Sequence, residues 1–178
     1  MNIFPKPYAD LVARLRVPCG FVLVIAFALL SRPDARSLAY GLPIGVAGLL
    51  LRAWAAGHLE KNVRLAETGP YAYVRNPLYI GTVLVAAGLI VASRRWILAA
   101  IVAAVFFFVY LPVIGLEQQH LRDLFPEYDA YARRVPALIP VFRRRGAAGR
   151  FRWKRYMRNE EYQALIGFVA GVLFLLWR

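Results

Sequence analysis

Apolar positions in this chain come in long runs, separated by short stretches dense in arginine, proline and glycine. The first run, residues 17–30, is short for a membrane crossing of about 20 residues. It is expected to borrow residues from Leu11 onward, with Arg14 and Arg16 stretching their charged ends to the interface, and Pro18 should kink the extended helix. Ahead of it, Pro5, Pro7 and Tyr8 argue against early regular helix. Residues 31–37 read as a tight loop. The second run, residues 38–57, carries Gly41, Gly45 and Gly48, which let a neighbouring helix come close. The third covers Pro77 to Ser93, with Gly81 and Gly88 on roughly one face. The fourth is residues 96–116, with a kink expected at Pro112. The Arg94-Arg95 hinge between the last two predicts an antiparallel hairpin. A fifth run, Tyr162 to Trp177, is marginal in length.

After Glu117 the pattern changes. Leu121, Leu124, Phe125, Tyr128, Tyr131 and Val135 recur at three- and four-residue spacing, with charged residues between them. That predicts an amphipathic helix on the membrane surface, broken near Pro126 and ended by Pro136 and Pro140. The expected fold class is therefore all-α. It is a polytopic integral membrane protein with about five transmembrane helices and a cytoplasmic interfacial amphipathic helix. The 178 residues form a single membrane domain: a core over about 38–140, then a basic interfacial segment and a C-terminal apolar helix over 141–178.

Composition sharpens this picture. The chain is 60% hydrophobic yet carries a formal net charge of +13, a pairing that soluble proteins seldom show and that apolar spans with basic connections explain. Because the basic residues lie between apolar runs, as in the stretch 143–158, anionic lipid headgroups are the expected partner. Nucleic acid is not, since no nucleic-acid motif accompanies the charge. The basic bias of Lys61, Arg64, Arg75 and the region after Glu117 puts those segments, and the N-terminus, on the cytoplasmic side. Cys19 is alone, so no intrachain disulfide forms. No second His or Cys stands at ligand spacing, so no metal is expected.

The stretch from Gly69 to Gly81 concentrates the candidate chemistry. Gly69-Pro70 reads as a turn. Asn76-Pro77 reads as a helix start, with Asn as N-cap and Pro at the first helical position. The free N–H groups of residues 78–80 then suit a carboxylate or phosphate. Tyr71, Tyr73 and Tyr79 offer aromatic faces for a cation. Arg52 lies inside the second run, where a charge needs a partner or a wet cavity; it either snorkels or pairs, and Glu117 is the candidate partner. Trp54 and His58, four residues apart, share a face. All of these approach one membrane boundary. An ion pair, aromatic faces and a helix N-terminus there suit a zwitterionic ligand from the cytosol meeting an apolar one from the bilayer.

At this point the chain resembles a known family. Its Gly69-Pro-Tyr-Ala-Tyr-Val-Arg-Asn-Pro-Leu-Tyr-Ile-Gly is similar to the G-P-Y-x-Y-x-R-H-P-x-Y-x-G signature of the isoprenylcysteine carboxyl methyltransferase and phospholipid methyltransferase superfamily. Glu117-Gln-Gln-His-Leu, followed by Phe125, Tyr128, Tyr131 and Val135-Pro136, resembles the second block, which begins E-E-x-x-L. Leu51-Arg-Ala-Trp-Ala resembles its L-R-x-W-A stretch. The resemblance covers about residues 50–140. It departs at Asn76, where the family has His, and at Gln118, where it has a second Glu. It implies an integral membrane methyltransferase that takes S-adenosylmethionine at the cytoplasmic boundary and a lipophilic acceptor from the bilayer. By resemblance, Tyr73, Asn76, Pro77, Tyr79, Gly81, Glu117 and Gln118 are cofactor candidates. Glu117 and Arg75 are the catalytic candidates, and Arg52, Trp54 and His58 would meet the acceptor. Arg75 and Arg52 either bind a carboxylate or anchor their helices. Glu117 or His58 could take a proton from an amine acceptor. The two departures motivate an alternative: a non-catalytic lipid-binding protein on the same scaffold. Membrane sterol reductases share part of the resemblance and supply a third reading.

Overall fold

The computed structural model describes residues 4–141 and 149–178. Among these residues the secondary structure is helical, with no strand: α1 Lys6–Leu30, α2 Ala35–Ala56, a 3-10 turn Gly69–Ala72, α3 Pro77–Ser93, α4 Trp96–Val105, a π turn Phe106–Tyr110, α5 Leu111–Leu124, α6 Tyr128–Arg134, α7 Trp153–Arg158 and α8 Tyr162–Trp177. Three helical stretches are long and apolar enough to cross a membrane: Lys6–Leu30, Ala35–Ala56 and Trp96–Leu124. α3 and α8 are shorter apolar helices. The protein is an all-α, polytopic membrane protein.

Two helix starts differ from the sequence reading, because the first turn and not the apolar run sets where each begins. α1 begins at Lys6, with Pro5 at the N-cap and Pro7 within the first turn. The N–H groups of that turn have no helical partner in any case, so proline costs nothing there. α2 begins at Ala35 rather than Leu38. The Asp34 carboxylate accepts from the Ser37 N–H at 2.7 Å and the Ser37 hydroxyl accepts from the Asp34 N–H at 2.9 Å, a reciprocal capping box.

α2 and α3 pack face to face through their small residues. A methyl group added at Gly41 would meet Ala92, one added at Gly88 would meet the backbone of Gly41 and Gly45, and one added at Gly48 would meet the backbone of Gly81 and Val85. Phe168 of α8 fills the notch at Gly45. Arg94, in the left-handed region at φ 54°, turns the chain sharply out of α3, and Arg95 then anchors the hairpin by donating to the Leu30 carbonyl at 3.0 Å.

The expected kink at Pro112 takes the form of the π turn just before it. Proline has no N–H for the carbonyl of Phe108, four residues back. The Tyr8 hydroxyl takes that acceptor instead, at 2.7 Å.

The expected amphipathic helix after Glu117 is present with its break near Pro126, and what is corrected is the surface placement of its apolar residues from Phe125 on. Residues 117–124 continue α5, and the chain breaks before α6. The apolar positions do not form a lipid-facing stripe. Phe125, Tyr128, Tyr131 and Val135 are buried in one cluster with Leu65 from the loop after α2. Leu65 was the missing partner, and only tertiary folding brings it there. Residues 142–148 of the basic stretch, including Arg143, Arg144 and Arg145, lie outside the described residues.

From Gly149 the chain docks on the end of α2. The Arg152 N–H donates to the Gly57 carbonyl at 3.0 Å. α8 then runs from Glu161, beside Arg52, to Arg178, which donates to the Ala28 carbonyl near the end of α1. The fifth apolar run thus traverses the bundle from one end to the other.

Candidate functional site

A cavity of about 600 Å³ opens at the end of the bundle where α2 stops, α3 starts and α5 runs out. Its walls are the loop with Lys61, Asn62, Arg64 and Leu65; the hinge with Tyr71, Arg75, Asn76, Pro77 and Tyr79; Tyr110, Val113, Glu117 and His120 on the fourth span; and Phe125, Tyr128 and Tyr131 beyond it. Arg52 and Glu60 and, on α1, Ala13 and Arg16 also line it.

The chemistry sits on three of these walls. The Glu117 carboxylate accepts from the Tyr79 hydroxyl at 3.1 Å. Tyr79 in turn meets Tyr110 edge to face, with centroids 6.0 Å apart; Tyr110 is the last residue of the π turn. Such widened turns recur at functional sites. Across the cavity, Arg75 donates from one terminal nitrogen to the Tyr128 hydroxyl at 3.0 Å, and its guanidinium carbon lies 5.9 Å from that ring's centroid. Its backbone N–H is fixed by the Pro136 carbonyl at 2.9 Å. The Nε of Arg75 is buried without a hydrogen-bond partner, an arrangement folded proteins rarely leave unanswered.

Burial raises the phenol of Tyr128, with Arg75 beside it opposing the shift. Burial also raises Tyr71, which the nearby Glu117 charge reinforces, and Tyr131. These phenols remain neutral donors near neutral pH. Tyr131 uses its hydroxyl to hold the Tyr71 carbonyl at 2.8 Å, pinning the 3-10 turn against α6. Glu60 at the rim is held below the usual carboxylate range, chiefly by its hydrogen bond from Arg155.

Of the expected site residues, Arg52, Arg75, Asn76, Pro77, Tyr79 and Glu117 line this cavity, and Tyr73, Gly81, Gln118, Trp54 and His58 do not. The Tyr73 carbonyl accepts from the Val141 N–H at 3.1 Å. Gly81 faces α2, where a methyl group would strike the side chain of Arg52. Gln118 points to the other side of α5, into a smaller cavity of about 240 Å³ shared with Phe4, Lys6 and Leu138. Trp54 is exposed and edge-on to His58 at 6.4 Å between centroids. His58 is buried; its Nδ1 bonds the Thr68 hydroxyl at 2.9 Å and its ring supports Gly69, which takes φ +60°. Burial first, and Arg155 second, lower its pKa.

Two expected contacts are replaced. Arg52 does not pair with Glu117. Its Nε and one terminal nitrogen each donate to Glu161 at 2.9 Å, and the other terminal nitrogen reaches the Thr82 hydroxyl at 2.5 Å and the Leu78 carbonyl at 3.3 Å. Asn76 occupies the position before α3, but its side chain makes no cap. Its Nδ2 donates to the Ala137 carbonyl at 2.9 Å, tying the hinge to the segment after α6. Sequence reasoning missed Glu161, Tyr110 and Tyr128 as neighbours of the site. Glu161 had a signal: an acid at the start of one apolar run, matching the arginine inside another.

Comparison with known proteins agrees with this architecture. The family model described as phospholipid methyltransferase matches residues 44–128, which hold the second half of α2, the hinge, α3 and the fourth span. The chain belongs to this family of integral membrane methyltransferases. Among its relatives is the nickel-cobalt-cadmium resistance protein NccN of Alcaligenes xylosoxydans xylosoxydans, 34% identical over 148 residues, or 76% of this chain and 70% of the relative. The cobalt-zinc-cadmium resistance protein CzcN of Cupriavidus metallidurans is 36% identical over 105 residues, 56% of this chain and 49% of that protein. The protein-S-isoprenylcysteine O-methyltransferase of Schizosaccharomyces pombe is 24% identical over 142 residues, 76% of this chain and 60% of that enzyme. No solved structure matches the chain.

Proposed function

We propose that this protein transfers a methyl group from S-adenosylmethionine to a lipophilic acceptor that enters from the bilayer. One observation carries the proposal. The cavity at the end of the membrane bundle brings the Glu117 carboxylate and the Arg75 guanidinium into one lining, together with Tyr71, Tyr79, Tyr110, Tyr128 and Tyr131. That donor set complements a zwitterionic amino-acid end joined to an aromatic base. The volume lies within the range of small-molecule sites.

The bound cofactor supplies a methyl group already activated on a sulfonium. The chain's residues therefore bind, align and exclude water. Glu117, held in position by the Tyr79 hydroxyl, would accept from the ammonium end. The Arg75 guanidinium, with Arg16 and Lys61 at the rim, would hold the carboxylate end. The tyrosine rings of the lining would offer aromatic surface to a positive sulfur. A carboxylate or thiolate acceptor needs no base; an amine acceptor would first lose its proton to a titratable group of the cavity, of which Glu117 and His120 are two. Glu60, also at the rim, is neutralised by Arg155. The cavity end faces the cytoplasm on this reading, because it carries the basic bias.

The test is calorimetric titration of detergent-purified protein with S-adenosylmethionine and, separately, with NADPH. The proposal requires binding of the first and none of the second. Binding of NADPH alone would favour a reductase, and binding of neither the lipid-binding alternative. The two relatives named for metal resistance supply a physiological setting. On the present reading, any role in metal tolerance runs through methylation of a membrane component. Metal sensitivity of a strain lacking the protein should then be relieved by the wild type and not by Glu117→Ala.

A further inference from the structure

The stretch matched by the family ends at residue 128, yet the cavity wall depends on a residue well beyond it. We infer that Glu161, at the start of α8, is a positioning residue for the site. It holds Arg52 in a bridge that fixes the first turn of α3. The inference rests on the methyltransferase reading for its functional consequence, though not for its structural content.

The bridge uses every nitrogen of the guanidinium. Glu161 takes Nε and one terminal nitrogen, and the second terminal nitrogen spans Leu78 and Thr82 on α3. The Glu161 side chain is 9% exposed and that of Arg52 21%, so the pair is largely withdrawn from water. A planar fork makes this geometry possible; an ammonium would not hold both sides at once. Leu78 and Thr82 flank Tyr79, which holds Glu117. Glu161 therefore reaches the carboxylate of the site through Arg52, the first turn of α3 and Tyr79. Gly81 belongs to the same device: without a side chain it leaves room for the stem of Arg52 against α3.

The rest of the C-terminal segment docks on the end of α2 through contacts of its own, separate from Glu161. The Asn159 Nδ2 donates to the carbonyls of Ala56 and Leu59, each at 3.0 Å, which ties the segment to the end of α2 and the residues after it. Arg155, buried, donates to Glu60 at 2.7 Å. Two residues on the cavity wall, Arg52 and Glu60, are thus each held by a partner from residues 149–178. With Glu161 neutralised, Arg52 becomes an uncompensated charge beside the cavity. It is then free to turn toward Glu117 and compete with the cofactor's ammonium end.

The test compares Glu161→Gln, Arg52→Gln, the double variant and Asn159→Ala in the full chain in detergent. It has two readouts: hydrogen exchange at the amides of residues 80–85, measured without cofactor, and S-adenosylmethionine affinity. Glu161→Gln should speed exchange at 80–85 and weaken affinity by about tenfold or more, the scale on which misplaced site groups act. The double variant should be no worse than Arg52→Gln alone, because Glu161 acts only through Arg52 and its carboxylate is no longer stranded. Asn159→Ala loosens the same segment and should leave 80–85 unchanged. Should Glu161→Gln not fold, Arg52→Lys keeps the charge but cannot span both helices, and the same faster exchange is expected. Unchanged exchange at 80–85 in these variants would overturn the inference. So would an identical pattern in Asn159→Ala, which would make α8 a general anchor. If the wild type binds no S-adenosylmethionine, the methyltransferase reading fails while the exchange data still decide the role of Glu161.

Discussion

Replacing Gly48 by alanine tests the packing on which the cavity is built. The new methyl carbon would lie 2.7 Å from the Gly81 carbonyl oxygen, 2.7 Å from the Val85 nitrogen and 2.9 Å from the Leu84 Cβ. Two of these three neighbours are backbone atoms of α3, so relief requires the helices to separate rather than a side chain to rotate. Overpacking of this kind costs about 1–3 kcal/mol. Alanine returns up to about 1 kcal/mol as the better helix former. A net loss of about 1–2 kcal/mol corresponds to a fall in Tm of roughly 2–8 °C for a chain of this size. Gly167→Ala is the control, because nothing lies within 4 Å of its added methyl; it should leave Tm unchanged or raise it. The disturbance also has a functional address, since Arg52 lies one turn beyond Gly48 on the same helix. Cofactor affinity should therefore fall in Gly48→Ala and not in Gly167→Ala. Thermal unfolding in detergent reads the first effect and calorimetry the second. A Gly48→Ala protein as stable as Gly167→Ala would refute the close α2–α3 packing.

Other outcomes follow from the same geometry. Glu117→Ala should weaken S-adenosylmethionine binding by roughly tenfold to a hundredfold, the value of a charge-assisted hydrogen bond of about 1.5–3 kcal/mol; unchanged calorimetric affinity in a folded variant would remove Glu117 from the site. Burial lowers the pKa of His58, so the unfolded chain takes up this proton first as pH falls. Stability should then decline on acidification below about pH 6.5 and be insensitive to this group above it. His58→Gln should flatten that slope in thermal unfolding between pH 5.5 and 7.5, and an identical slope in the variant would contradict it. Cysteines placed at Lys61 and Arg150 should both be labelled from the cytoplasmic side; labelling from opposite sides would break the shared boundary.

Helix positions and the glycine faces were legible in the sequence because they rest on local pattern: apolar run length, prolines, and small residues at helical spacing. Helix starts were less so. Asp34 and Ser37 cap α2 three residues ahead of the apolar run, and Pro5 and Pro7 begin a helix they were expected to prevent. The hinge and Glu117 were legible through their motif, and the structure sets Tyr79, Arg75 and Glu117 around one cavity. Partnerships between distant segments were not legible. Arg52 finds Glu161, 109 residues away, rather than the acid at the end of the neighbouring span. Tyr128 and Tyr131 find Leu65 rather than lipid, since amphipathic spacing specifies a buried face without specifying what buries it. Asn76 has the identity of an N-cap but spends its side chain on Ala137, because tertiary contact outweighs a cap worth about 1 kcal/mol.

The most direct test of the central claim follows the methyl group itself. Purified protein in vesicles made from its own host's membrane lipids is incubated with S-adenosylmethionine carrying a radioactive methyl group, and the products are partitioned between water and organic solvent. The account predicts label in the organic phase, growing with time, and a loss of that label with Glu117→Ala in a protein that remains folded. Binding of S-adenosylmethionine with no label transferred to any lipophilic product would contradict it and leave a lipid-binding protein on a methyltransferase scaffold.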